Sequence, residues 1–541
     1  MSCWIRMPAL CLVGTAILMN NTWAVPALIG SRAGTQSPVI RTTEGPVRGT
    51  RVGEVQEFLG IPYAAAPIAE LRWAAPQRPL THHAVRPADH FRDACPQVRR
   101  FDLTEASDSE DCLYLNIAVP ARAAADGRPR PVLFWIHGGA YVGGGANLYR
   151  IDHLADRGDI IVVSVNYRLG ALGFLSLPEM DSEASGAFGI ADQEAALRWV
   201  QANIAHFGGD PKRVTIAGES AGAASVCALI AAPERRDGLY AQAIVQSLAC
   251  GVPWKTTEVA AASVGASFIA QMECEGAAPL ACLRRAPLAK VLSVQTSMAA
   301  AGNSVWSPAV GSHVLPRDAS VAVAEGRIKV PVLYGGTTDE MRLYVGYEVL
   351  AIGHAYSETE YAKRLAATYG VHAATVEEQY PANQYSSPSA ALGTALSDYS
   401  PGFPLSNCGY LQFGQTLAQH TPVYQFEFAD RQAPPVMDDP GIELGAVHSA
   451  ELPYFFPGFS NHSQWEGPAL APGSQALSDV MIDFWASFVR TGRPSAAKVP
   501  AWSRFANSRD VYRLEPGHLG PFDAAAAHRC AFWQSLYPTL Q

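Results

Sequence analysis

Six short apolar runs, each closed by a turn or polar residue, recur between residues 131 and 429. They cover 131–137 (PVLFWIH), 160–167 (IIVVSVNY), 213–218 (RVTIAG), 240–247 (YAQAIVQS), 329–336 (KVPVLYGG) and 423–429 (VYQFEFA). Near-continuous Val/Ile/Leu content, rather than strict alternation, predicts strands buried on both faces. Residues 192–208 read differently. Ala195, Leu197, Trp199, Val200 and Ile204 gather on one side of a helix that stops at Gly208. Strand and helix alternate, which predicts an α/β fold with a large, mostly parallel central sheet covered by helices on both faces. There is no internal repeat, and the strand candidates are spread along the chain. The pattern therefore predicts one large domain over 25–541 rather than several small ones.

The chain has 541 residues, of which 48% are hydrophobic and 16% charged, ample for a sizeable core. Its net charge of −9 is carried without a block of like charges, so no clustered basic face suggests nucleic-acid binding. Residues 1–24 read as a signal peptide. Arg6 supplies the basic start, 8–19 (PALCLVGTAILM) the apolar stretch, and Thr22-Trp23-Ala24 the cleavage site. The stretch is too short for a membrane span, so the mature protein is expected to be secreted or periplasmic. Residues 27–38 read as a loosely ordered leader. Eight cysteines remain after cleavage: Cys95, Cys112, Cys227, Cys250, Cys274, Cys282, Cys408 and Cys530. In an exported chain they are free to pair, but spacing alone leaves the connectivity open.

The chemistry concentrates in Gly218-Glu219-Ser220-Ala221-Gly222, the one G-x-S-x-G in the chain. The run VTIA leads into it and AGAASVCALIAA behind it reads as a helix. Strand, sharp turn and helix make a nucleophile elbow, which lifts the Ser220 hydroxyl above the sheet edge. Attack on a carbonyl creates an oxyanion that preorganised amides must meet. His137-Gly138-Gly139-Ala140 follows the strand at 131–137, and the amides of Gly139, Ala140 and Ala221 are the expected donors. His137 itself precedes this turn and fits a packing role. A serine nucleophile needs a base, and the base an orienting carboxylate, in the chain order serine, acid, histidine. Asp339 and Glu340 both follow a strand end and both qualify. His448, in Gly445-Ala446-Val447-His448-Ser449-Ala450-Glu451-Leu452, is the expected base, with His420, His462 and His528 as competitors on order alone.

Longer strings carry a family resemblance. They are 58–65 (FLGIPYAA) with Leu71-Arg72-Trp73, 110–117 (EDCLYLNI), 166–174 (NYRLGALGF), Asp192-Gln193, and 207–222 (FGGDPKRVTIAGESAG). From about Thr42 to Leu536 the chain resembles the type-B carboxylesterase/lipase family, which includes cholinesterases and bacterial para-nitrobenzyl esterases. The resemblance implies an α/β-hydrolase fold and hydrolysis of a small or bulky carboxylic ester through an acyl-enzyme, with no metal or organic cofactor. It implies a Ser220–Glu340–His448 triad, with Ser247 supporting the glutamate from behind. It also implies the disulfides Cys95–Cys112, Cys274–Cys282 and Cys408–Cys530, and leaves Cys227 and Cys250 without a counterpart. Three features depart from the family pattern. Met341 stands where a glycine usually follows the acid, and Leu248-Ala249 replaces the usual Gly-Ser. The Cys95–Cys112 loop lacks tryptophan, which argues against a choline substrate and, being short, against a large lid. Phe403, Tyr454 and Phe455 are candidate pocket residues.

Overall fold

The structure, a computed structural model, describes residues 35–99, 106–251, 253–300, 305–460 and 467–539. The expected signal peptide and His462 lie outside the described residues. One sheet contains β1 (Thr35–Arg41), β2 (Pro46–Val52), β3 (Val55–Pro62), β4 (Arg86–Pro87), β5 (Tyr114–Pro120), β6 (Arg130–Ile136) and β7 (Ile161–Val165). It continues with β8 (Gly209–Glu219), β9 (Gln242–Gln246), β10 (Val332–Thr337), β11 (Val423–Phe428), β12 (Val511–Leu514) and β13 (Gly520–Phe522). The strand order is β1-β2-β3-β5-β7-β6-β8-β9-β10-β11-β12-β13, with the two-residue β4 beside β2. All neighbours from β7 to β12 run parallel, while the two ends of the sheet are antiparallel.

The apolar runs become the parallel centre because both faces of those strands are covered. Along β6, Val132, Phe134 and Ile136 enter one core with the helices Phe188–Asn203 and Ala221–Ile230. Leu133 and Trp135 enter a second core with Ile151–Gly158 and Pro472–Thr491. Successive side chains of a strand point to opposite faces, so one run feeds two cores. The helix expected at 192–208 begins earlier, at Phe188, and its last turn is a 3₁₀ helix, Ile204–Phe207. The expected loose leader is overturned from Thr35 onward, where β1 pairs with β2. No helix among the described residues is long and apolar enough to cross a membrane.

The eight cysteines form four disulfides: Cys95–Cys112, Cys227–Cys250, Cys274–Cys282 and Cys408–Cys530. The last ties the C-terminal helix Cys530–Leu536 to the helix Asn407–Ala418. Beside it, His528 is buried between two carboxylates. Its Nδ1 lies 2.7 Å from Asp398 Oδ1 and its Nε2 2.7 Å from Glu427 Oε2. Burial alone would push this imidazole down, but Glu427 and Asp398 outweigh it and hold its pKa up at about 10, from an ordinary 6.5. A raised folded-state pKa stabilises fully below 6.5, and that contribution fades as pH climbs towards 10. His528→Gln is therefore expected to cost roughly 3 kcal/mol or more near neutrality, the scale of breaking a buried pair. Urea unfolding on both sides of that window should show the gap to wild type closing at alkaline pH; a pH-independent gap would contradict the clamp.

Candidate active site

β8 ends at Glu219 and the helix Ala221–Ile230 begins two residues later, so Ser220 must turn the chain alone. It does so at φ +56° and ψ −122°, a conformation costly for a residue with a side chain. The close approach of strand and helix explains the flanking glycine: a Cβ on Gly222 would lie 2.0 Å from the carbonyl oxygen of Ile136. The Ser220 amide donates to Gln246 O at 3.0 Å, pinning the elbow to the end of β9.

The turn after β6 lies against this elbow. A Cβ on Gly138 would stand 3.1 Å from Ser220 Cβ. Gly139, Ala140 and Tyr141 all take positive φ, at +112°, +53° and +62°. The amides of Gly139 and Ala140 donate to no backbone carbonyl among the described residues. Ala221 is the first residue of its helix, where amides lack an intrahelical partner. His137 packs rather than faces the serine. Its ring stacks on Tyr167 at 4.4 Å and its Nδ1 lies 2.8 Å from Gly138 O, while burial pushes its pKa down to about 4.

Glu340 and Asp339, adjacent after β10, reach different partners. Glu340 Oε2 lies 2.7 Å from Nδ1 of His448. Its Oε1 accepts from the Thr337 amide at 2.9 Å and the Tyr410 hydroxyl at 3.0 Å. Asp339 fastens the histidine loop: its amide donates to Ala446 O, and its Oδ2 accepts the Ala446 amide at 3.0 Å. Its Oδ1 accepts from Arg431 Nη2 at 3.0 Å. Of the other histidines in the running, His420 is exposed and His528 is held in its diacid clamp.

Ser247, expected behind the glutamate, departs from that expectation. It is fully buried at φ +55°, and its hydroxyl has no hydrogen-bond partner among the described residues. The glutamate's remaining oxygen is occupied by Tyr410, which the sequence reading missed. Met341 needs no glycine backbone, since its φ is −82° and its amide donates to Ser397 Oγ at 2.9 Å. Phe403 stacks edge-on against Tyr344, which in turn lies 5.7 Å from the His448 ring. Tyr454 and Phe455 are core residues, packed on Phe428 and Trp485.

The imidazole has more acidic company than a triad supplies. His448 Nε2 lies 3.1 Å from Glu219 Oε1, which also accepts from Ser449 Oγ at 2.9 Å. No hydrogen bond joins Ser220 Oγ to Nε2 in this arrangement. Glu451, three residues after His448, is fully buried and accepts from Gln246 Nε2 at 3.0 Å. Burial would lower the His448 pKa, but Glu219, Glu340 and Glu451 together hold it up at about 9. Burial, reinforced by Glu219 and Glu340, raises Glu451 to about 8, and burial likewise raises Glu219. At neutral pH burial thus favours a proton on Glu451, while Glu219 and Glu340 flank the imidazole.

Residues 36–533 match the model of the carboxylesterase family. The chain belongs to that family. It is a carboxylic ester hydrolase, and its fold is the α/β-hydrolase fold. It is 32% identical to cocaine esterase of Homo sapiens over 93% of this chain and 92% of the relative. It is 31% identical to para-nitrobenzyl esterase of Bacillus subtilis (strain 168), over 85% of this chain and 91% of that protein. Among solved structures, a thermophilic PNB esterase superposes with a TM-score of 0.76 at 30% identity, covering 92% of this chain and 99% of its own. This carboxylesterase-family chain therefore shares both the sheet and the overall extent of its relatives.

Proposed function

We propose that the protein is a secreted or periplasmic serine esterase that uses a Ser220–His448–Glu340 triad and an acyl-enzyme intermediate. The 2.7 Å contact between His448 Nδ1 and Glu340 Oε2 carries this reading, since it fixes the imidazole with Nε2 turned to the residues at the elbow. Nε2 accepts the Ser220 proton as Oγ attacks the ester carbonyl. Glu340 holds the ring and balances the imidazolium. The amides of Gly139, Ala140 and Ala221 receive the oxyanion. His448 then protonates the leaving alcohol and activates the water that releases the acid. Substrates are carboxylic esters, bulky ones included: one relative is named for cocaine, and a 32% identical protein of Sphingopyxis macrogoltabida for fumonisin B1. Four disulfides support the exported location. The mechanism is tested by mixing enzyme with excess para-nitrophenyl acetate. A burst of nitrophenol equal to the enzyme concentration is expected whenever deacylation limits turnover; trapping no acylated Ser220 by acid quench would contradict it.

The acidic surroundings of His448 give a signed pH prediction. The base works unprotonated, so the rising limb of kcat/KM should lie above the ordinary imidazole value of 6.5, displaced towards 9. Glu219→Gln removes a carboxylate that raises this pKa, so the limb should move to lower pH. A limb that stays in place in the variant would show that Glu219 carries no charge felt by the imidazole.

A further inference from the structure

Cys227 and Cys250 form a bridge that neither the resemblance nor the ester chemistry explains. Cys227 lies seven residues after the nucleophile, on the helix Ala221–Ile230, and is fully buried. Cys250 lies four residues after the end of β9, and its Cα is 5.8 Å from that of Cys227. The segment 246–250 that the bridge anchors touches every leg of the proposed machinery. At its start, Gln246 O accepts the Ser220 amide, and Gln246 Nε2 donates to Glu451. Next, the Ser247 amide donates at 2.7 Å to Gly335 O, on the strand that ends beside Glu340. Then the Ala249 amide donates at 2.7 Å to Pro404 O. Pro404 follows Phe403, whose ring rests on Tyr344, which rests on His448.

Beyond these bonds the segment is held by Gln246, whose Oε1 accepts from Trp485 Nε1 at 3.1 Å, and by burial. It carries Ser247 at a positive φ with a buried hydroxyl that has no hydrogen-bond partner among the described residues. Leu248 and Ala249 are buried but follow the strand in irregular backbone. Strained, irregular backbone persists only where its surroundings over-determine it. A covalent tie to the nucleophile helix is such a determinant, and it acts within a few residues of the four hydrogen bonds described above.

We propose that Cys227–Cys250 is a positioning bridge, which holds segment 246–250 so that the serine elbow, the acid strand and the stack over the histidine keep their mutual geometry. The inference rests on the triad reading above. A misplacement of about 1 Å can cost on the order of 100-fold in rate, so partial loosening of one tether should be visible in turnover.

The test compares two double variants, Cys227→Ala/Cys250→Ala and Cys274→Ala/Cys282→Ala, on para-nitrophenyl acetate well below their unfolding temperatures. Both lose a bridge and both lose stability. The first should lose about tenfold or more in kcat with KM changed far less, as expected for misplaced reacting groups. The second should keep kcat within about twofold, since its bridge spans a sequence separation of only 8 and ties none of the segments that carry Ser220, Glu340 or His448. If the folded Cys227/Cys250 variant keeps wild-type kcat, the bridge is only a staple and the inference falls. Should the alanine pair fail to fold, Cys227→Val/Cys250→Ala, which refills the lost sulfur volume, carries the same readout. Fluorophosphonate labelling of wild-type Ser220 separates the two claims. An unlabelled wild type sinks the triad, whereas a labelled wild type with an unaffected bridge variant sinks only this proposal.

Discussion

Ser220→Ala is expected to remove about 10⁴-fold or more of kcat while leaving the fold and its unfolding temperature close to wild type. The rate loss follows from chemistry: Ser220 carries the one hydroxyl within the Gly218–Gly222 turn, and without it the imidazole loses the nucleophile it activates. The conserved stability follows from packing. Ser220 is partly exposed, and its backbone hydrogen bond to Gln246 O survives the substitution. Removing the hydroxyl creates no cavity in either core, because Ser220 lies in neither. His448→Ala should match it in rate, because triad members act as a unit. A Ser220→Ala enzyme that retained even a tenth of wild-type turnover, after contaminating esterase had been excluded, would place the nucleophile elsewhere.

The second large effect separates two neighbouring carboxylates. Glu340→Gln should cost on the order of 10³- to 10⁴-fold in kcat, since an amide favours the wrong imidazole tautomer and cannot balance the imidazolium. Asp339→Asn should cost far less, about tenfold, because its carboxylate meets backbone and arginines rather than the histidine. The asparagine can still accept the Ala446 amide and its own backbone amide still donates to Ala446 O, so the loop keeps both ties. The neutral side chain loses its attraction to Arg431 and Arg342, so the unfolding temperature of Asp339→Asn should drop more than that of Glu340→Gln. Steady-state kinetics with thermal unfolding of both variants checks the pair. The opposite ranking in kcat would hand the acid role to Asp339.

Much of this site was legible because the relevant signals are local. The Ser220 elbow is a strand, a turn and a helix within a dozen residues, and the glycines record a steric demand that the Ile136 carbonyl then explains. The central strands were legible for a similar reason: burial on both faces leaves Val/Ile/Leu runs with no competing period. β1 and β2 were not, since TQSPVIR and PVRGTRV lie at the edge of the sheet and carry exposed polar residues, two prolines and a glycine. Local sequence left Asp339 and Glu340 equivalent, and only the family resemblance chose between them. In the fold, the separation comes from what each reaches across 107 or 108 residues, Ala446 or His448. Glu219 and Glu451 sat inside strings already recognised, yet their role appears only when β8 and the histidine loop meet. Tyr410 carried no signal, because a tyrosine on an apolar helix face reads as core. The Cys227–Cys250 pairing likewise depends on a helix and a strand end that only the sheet order brings together.

The proposed mechanism turns on a single reactive hydroxyl, and a fluorophosphonate probe reports on it directly. Intact-mass analysis of the wild-type protein should show one adduct per chain, peptide mapping should place it on Ser220, and Ser220→Ala should take up none. Full labelling that persists in Ser220→Ala, or a folded wild-type protein that takes up no probe, would contradict it.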